Sequence, residues 1–274
     1  MRHTVNGLAL NVEMSGSGPP LVLLHGFTGS AATWRDLARS WGASFTTIAV
    51  DLIGHGASDA PADPARYRME HCAADLVALF DRLGLDRPAV LGYSLGGRVA
   101  LHLELAAPER VGRLILESAS PGIADSAERA ARTRADEALA DSIERDGLPA
   151  FVARWERLPL FASQERLPPA ARERHRAQRL SNSPLGLANS LRGTGAGAME
   201  PVVDRLAELQ MPTLLVVGEL DDKYVALAGA LEHAIPGARL AIVPDAGHAV
   251  HLEQPEVFER LVYEFITRVE VGCR

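Results

Sequence analysis

Lysine is almost missing from these 274 residues: Lys223 is the only one, and nearly all the positive charge is arginine. Cysteine is nearly as scarce. Cys72 falls in a predicted helix and Cys273 at the tail, which leaves no disulfide framework and favours a reducing compartment. No basic-then-apolar leader precedes the first polar residues, and no apolar run approaches the roughly 20 residues needed to cross a bilayer. A cytoplasmic protein with no membrane partner is therefore expected. Positive charge is also in deficit, with 28 Lys plus Arg against 35 Asp plus Glu and a formal net charge of -7. That balance argues against general nucleic-acid binding, which calls for a basic face, but not against a small anionic ligand. Internal repeats, low-complexity tracts, a metal-ligand cluster and a phosphate-binding glycine fingerprint are all absent, so neither a metal nor an organic cofactor is expected.

What the chain does contain is a hydrophobic content of 47% with 23% charged residues, ordinary for a globular protein large enough to bury a substantial core. Its arginines suit carboxylates, which they grip through two parallel hydrogen bonds. An Ala-, Arg- and Gly-rich composition also reflects a GC-rich genome, so the count alone names no ligand.

The most informative stretch is Leu91-Gly92-Tyr93-Ser94-Leu95-Gly96-Gly97-Arg98. It follows the apolar run Pro88–Leu91 and precedes a helix-forming run, so Ser94 stands where a strand turns abruptly into a helix. A G-x-S-x-G motif in that context presents a strained serine to a pocket. The N–H of Leu95 and the dipole of the following helix then point to where negative charge would develop.

Around this stretch the pattern alternates. Residues 4 to 14 read as a hairpin about Asn6-Gly7, Leu21–Leu24 as a buried parallel strand, 33 to 41 as a short helix and Thr46–Val50 as a strand. The helix from about Arg68 to Leu83 carries Met69, Cys72, Leu76, Leu79 and Leu83 on one stripe, with His71 as an uninvolved passenger. Val111–Glu117 is another strand. From Pro121 to about Pro201 no convincing strand appears; helical segments are expected at 126–146, 147–158 and 168–180, then a polar, glycine-containing stretch from Ser181 to Gly195. Strands return at Thr213–Val217 and Arg239–Val243, with helices at about 225–234 and 255–269. The reading is an α/β protein, doubly wound, with a helical block over the strand ends.

Three groups with complementary chemistry follow three strands in the order Ser94, Asp221, His248. A neutral His248 would take the Ser94 proton, and Asp221 would hold the imidazole tautomer. Asp222 is the adjacent rival; Asp221 occupies the fourth place of a strand-end Gly-x-x-Asp pattern and is preferred. Glu117 is a further possible acid, better suited to organising its loop. In His25-Gly26-Phe27, the Phe27 N–H is assigned as the second oxyanion donor opposite Leu95. His25, Asp51 and His55 are read as loop-shaping residues.

Together, His25-Gly26-Phe27, Asp51 to Ser58, the Ser94 elbow and the Asp221 and His248 turns resemble the α/β-hydrolase superfamily over nearly the full chain. The resemblance implies an α/β-hydrolase fold: a mostly parallel central sheet flanked by helices, core at 1–120 and 202–274, helical cap at 121–201. Within the superfamily, Gly92 to Arg98, Glu117 with Ser120-Pro121-Gly122-Ile123, and Glu128-Arg129-Ala130-Ala131-Arg132 resemble the 2-succinyl-6-hydroxy-2,4-cyclohexadiene-1-carboxylate synthases of menaquinone biosynthesis. Trp155, Pro159-Leu160-Phe161, Arg179 to Asn182 and Ser190 to Gly195 carry the same likeness. It implies a lyase that eliminates pyruvate from a cyclohexene bearing three carboxylates. Arg98, Arg129, Arg132 and Arg179 would bind those carboxylates, while Tyr93, Trp155 and Phe161 shape the pocket. A monomer or weak homo-oligomer is expected. The same triad would equally serve a carboxylesterase or carbon-carbon bond hydrolase, and the fold alone would serve a non-catalytic binding module.

Overall fold

The computed structural model describes residues 1–268; Cys273 and the last position of the expected terminal helix lie outside them. The chain opens with a hairpin, β1 (Arg2–Val5) and β2 (Leu8–Gly16), closed by Asn6 and Gly7 at φ 47° and 76°. Positive φ at both turn residues suits the right-handed twist of the flanking strands, and Asn-Gly accepts it at least cost. The other strands are β3 (Pro20–Leu24), β4 (Thr46–Val50), β5 (Ala89–Tyr93), β6 (Arg113–Glu117), β7 (Thr213–Gly218) and β8 (Arg239–Val243). They form one eight-stranded sheet in the order β1-β2-β4-β3-β5-β6-β7-β8, antiparallel at β1–β2 and β2–β4 and parallel elsewhere.

Side-chain alternation along the strands divides the core between the two faces. Val22 and Leu24 join the cluster beneath α2 (Met69–Leu83) and α3 (Leu95–Ala106); Leu21 and Leu23 join the one beneath α1 (Arg35–Trp41) and the terminal helix, Pro255–Thr267. Burial on both faces explains why these strands read as continuous apolar runs. The parallel strands all end on one edge, where Glu117 closes β6 and the loops carry Phe27, Ser94, Asp221 and His248.

One buried group on α3 stands apart from this apolar core. Both carboxylate oxygens of Glu104 are buried with no hydrogen-bond partner among the described residues, and burial pushes its pKa up from 4.5 to about 7. The folded protein thus retains a proton that the unfolded chain releases near pH 4.5. Stability is full below that pH and falls as pH rises towards 7. Glu104→Gln is expected to leave Tm unchanged near pH 4 and raise it by on the order of 3 °C at pH 8; equal Tm values at both pH values in thermal melts would refute this.

Between β6 and β7 the chain is helical: α4 (Ser126–Trp155), a 3-10 segment Pro159–Arg166, α5 (Pro169–Leu180) and α6 (Pro184–Thr194). α4 is broken at Gly147, which takes φ 78°, so the two helical segments expected on either side of residue 146 meet at a kink. α6 corrects the sequence reading, which gave this stretch no helix. Pro184 at its first turn and the Ser183 side chain accepting from the Gly186 N–H start it, and Leu187, Ala188 and Leu191 bury a face against Ala140, Ile143 and Phe151 of α4. Tertiary packing overrides the low propensity of its glycines. The backbone of Gly186 abuts that of Gly54, where a Cβ would come within 2.1 Å of the Gly54 carbonyl oxygen. α5 differs: none of its residues is buried, and polar groups hold it. Gln178 bonds Ser30 and Thr33, while Arg176 and Arg179 pair with Glu156.

Candidate active site

Ser94 occupies the single residue between β5 and α3, at φ 50°, ψ -103°. Such a conformation costs a non-glycine residue about 1–3 kcal/mol and persists only when its surroundings enforce it. Here the Ser94 N–H donates to the Glu117 carbonyl at 2.8 Å, and α3 begins immediately. The flanking glycines are sterically required. A Cβ on Gly92 would lie 2.4 Å from the Gly96 carbonyl oxygen, and one on Gly96 would lie 2.2 Å from that of Leu24.

The serine hydroxyl donates to His248 Nε2 at 3.1 Å, and His248 Nδ1–H donates to Asp221 Oδ2 at 2.7 Å. Acceptance by the carboxylate fixes the tautomer: Nδ1 carries the proton and Nε2 is free to accept one. His248 and Asp221 are only 2% and 8% exposed, so their interaction is little screened by water. Asp222, the sequence rival, is exposed as the first residue of α7 (Asp222–Ala234), and the His248 hydrogen bond goes to Asp221 instead. The N–H groups of Phe27 and Leu95 donate to no protein acceptor among the described residues, and both residues line the same cavity as Ser94.

That cavity measures about 670 Å³ and lies between the strand ends and the helical insertion. Tyr93, Arg98, Arg132, Trp155, Phe161 and Arg179 all line it. The arginines are already engaged. Arg98 donates to the Thr194 carbonyl at 2.6 Å, and burial pushes its pKa down to about 10. Arg132 donates through Nε to Asp136 at 2.8 Å, leaving its terminal nitrogens without a hydrogen-bond partner among the described residues; Arg179 pairs with Glu156 at 3.0 Å and lies over the Phe161 ring. Arg129 departs from the expectation. It does not line the cavity, and its guanidinium donates to the carbonyls of Ile123 and Ala124. Arg129 shares the helix face of Asp125, Arg132 and Asp136, which line the cavity, but its side chain folds back to the carbonyls just ahead of the helix and is held there.

The loop residues hold the cavity floor. His25 donates from Nδ1 to the Gly26 carbonyl and accepts the Leu52 N–H, while Asp51 accepts from Ala31, Ala57 and Asn11. His55 donates to the Ile53 carbonyl, and burial pushes its pKa down to about 3; His71 is exposed. Among the described residues no group of His, Cys, Asp or Glu could hold a metal ion, and no helix is long and apolar enough to cross a membrane.

The sequence model of the alpha/beta hydrolase fold matches residues 19–255, most of the chain. The chain belongs to the α/β-hydrolase fold family. Among its relatives, a Bacillus subtilis (strain 168) protein provisionally named 2-succinyl-6-hydroxy-2,4-cyclohexadiene-1-carboxylate synthase is 45% identical over 94% of this chain and 93% of its own length. The synthase of that name from Serratia proteamaculans (strain 568) is 32% identical over 94% of this chain and 98% of its own. In three dimensions the chain is similar to MenH from S. aureus, with TM-score 0.90 and 33% identity, covering 94% of this chain and 97% of that one.

Among the residues of this α/β-hydrolase site that escaped the sequence reading, three stand nearest the triad in sequence. The Tyr224 ring packs 4.6 Å from that of His248 and its phenol, raised in pKa chiefly by burial, interacts with Ser94; its signal is its place three residues after Asp221, on the same face of the α7 start. Lys223, the sole lysine, also lines the cavity. His251, three residues after His248, lines it too and is bound to Glu117. Nothing in the sequence pairs those last two.

Proposed function

We propose that this protein is a lyase of menaquinone biosynthesis that eliminates pyruvate from 2-succinyl-5-enolpyruvyl-6-hydroxy-3-cyclohexene-1-carboxylate, giving 2-succinyl-6-hydroxy-2,4-cyclohexadiene-1-carboxylate. The observation that carries the reading is the meeting, in one cavity, of Ser94 and His248 with Arg98, Arg132 and Arg179. An acidic protein that lines one cavity with arginines around a serine–histidine pair is equipped for a small substrate with several carboxylates. The names of the relatives supply the product.

In this reading the triad moves a proton and forms no acyl-enzyme. His248 Nε2 withdraws the Ser94 proton as Ser94 Oγ removes the one on the ring carbon beside the succinyl carbonyl. The carbonyl oxygen becomes an enolate held by the Phe27 and Leu95 N–H groups. The electron pair returns into the ring, the existing double bond shifts by one carbon, and the bond to the enolpyruvyl oxygen breaks. The departing enolpyruvate gains a proton and becomes pyruvate. Asp221 keeps His248 oriented and balances its charge. Arg98, Arg132 and Arg179 hold the carboxylates, and Tyr93, Trp155 and Phe161 enclose the ring under the helical insertion acting as a cap. The reading extends to a cytoplasmic location, supported by the scarcity of cysteine.

Pyruvate release from the enolpyruvyl substrate, run beside hydrolysis of a small activated ester, tests the proposal. Fast pyruvate release with slow ester cleavage is expected; strong ester cleavage without pyruvate would replace it with a serine hydrolase. Arg98→Ala and Arg132→Ala are each expected to raise KM by roughly ten-fold or more, since a charged hydrogen bond contributes about 1.5–3 kcal/mol. Steady-state kinetics that leave both variants unchanged would remove the carboxylate clamp from the scheme.

A further inference from the structure

Glu117 is fully buried at the end of β6, and its carboxylate is spent on one partner. The His251 backbone N–H donates to Oε1 at 3.0 Å, and His251 Nδ1–H reaches Oε1 and Oε2 at 2.8 Å each. His251 is itself 3% exposed and lies in α8 (Val250–Glu253), directly after the turn that carries His248. A carboxylate taken wholly out of water is costly, and a surface-seeking pair has no stability reason to be here.

The position of this pair explains its cost. The Glu117 main-chain carbonyl accepts the Ser94 N–H, so the residue that binds His251 through its side chain holds the strained serine through its backbone. Tyr93, the register partner of Glu117 across β5–β6, fills the space between. Its ring lies 4.7 Å from the His251 ring and 5.4 Å from the His248 ring, and it closes against Gly26, where a Cβ would be 2.6 Å from the ring. Behind His251 stand Trp34 at 4.8 Å and Phe258 at 6.0 Å, so the imidazole cannot retreat.

We propose that Glu117 and His251 are a positioning pair for the Ser94–His248 hydrogen bond, tying the elbow to the turn that bears His248 and clamping Tyr93 between them. Neither group touches the reacting atoms. The inference rests on the proposed role of Ser94 and His248, and it concerns the reactivity of the serine whatever the substrate.

The test uses Glu117→Gln, His251→Gln and the double variant of the full chain, each checked for folding by thermal melt. Two readouts are taken: steady-state pyruvate release and the rate at which a small fluorophosphonate modifies Ser94. Each single variant is expected to lose ten- to a hundred-fold in kcat with KM within two-fold of the parent, and to lose a similar factor in phosphonylation rate. The double variant is expected to lose no more than the worse single, because the two residues act through one contact. A folded single variant that phosphonylates at the parental rate, or a double variant whose losses multiply, would overturn the proposal. Phosphonylation of the parent without pyruvate release would instead sink the lyase reading and leave this test standing.

Discussion

Ser94→Ala is expected to lower kcat for pyruvate release by roughly 10³-fold while the dissociation constant of the substrate changes by less than about three-fold. The geometry supports both halves of that expectation. The hydroxyl is 3.1 Å from His248 Nε2 and lines the same cavity, and its removal leaves a gap for which a water is a poor substitute. The arginines and aromatic walls that hold the substrate are untouched, and so is the backbone, because the Ser94 N–H to Glu117 bond does not involve the side chain. Single-turnover pyruvate formation and calorimetric titration measure the two quantities separately. Turnover within ten-fold of the parent would remove Ser94 from the proton-transfer step.

Gly96→Ala is expected to be the most damaging methyl group that can be added near the site. The new carbon would lie 2.2 Å from the Leu24 carbonyl oxygen and 2.8 Å from that of His25. Those atoms belong to a central strand and its loop, and they cannot rotate aside as a side chain can. Either α3 lifts from β3 or the elbow distorts, at a cost of about 3 kcal/mol or more, roughly 6–12 °C in Tm, together with most of the activity. Gly229→Ala provides the contrast. That glycine lies within α7 and has no atom within 4 Å of the added carbon, so the same substitution is expected to stabilise by about 0.5–1 kcal/mol. Equal effects in urea melts of the two variants would refute the steric argument.

The comparison of these glycines also shows what a sequence makes legible. Gly92-x-Ser94-x-Gly96 announces itself because steric demand fixes residue types at fixed spacing, and the runs at 21–24 and 213–217 announce central strands because both faces are buried. Asp221 could be preferred over Asp222 for a similar local reason. The direction a long side chain takes from a helix is harder to read. Arg129 and Arg132 look alike in sequence and share a face of α4, and only their hydrogen-bond partners, the carbonyls of Ile123 and Ala124 for one and Asp136 for the other, decide which reaches the cavity. α6 hid because its glycines serve close approach to Gly54 and Tyr67, which is decided by neighbours far along the chain. The Glu117–His251 bond joins residues 134 positions apart and depends on strand register, which no local pattern encodes.

The unequal anchoring of α5 and α6 bears on how such a protein can change over generations. α6 is tied to the sheet side by backbone contact at Gly186 and by a buried face, so a new side chain there is paid for in the stability of the whole domain. α5 buries no residue, yet it carries His175, Gln178 and Arg179 into the cavity wall. New ligand preferences can be sampled along α5 at little structural risk, while α6 holds the roof in place.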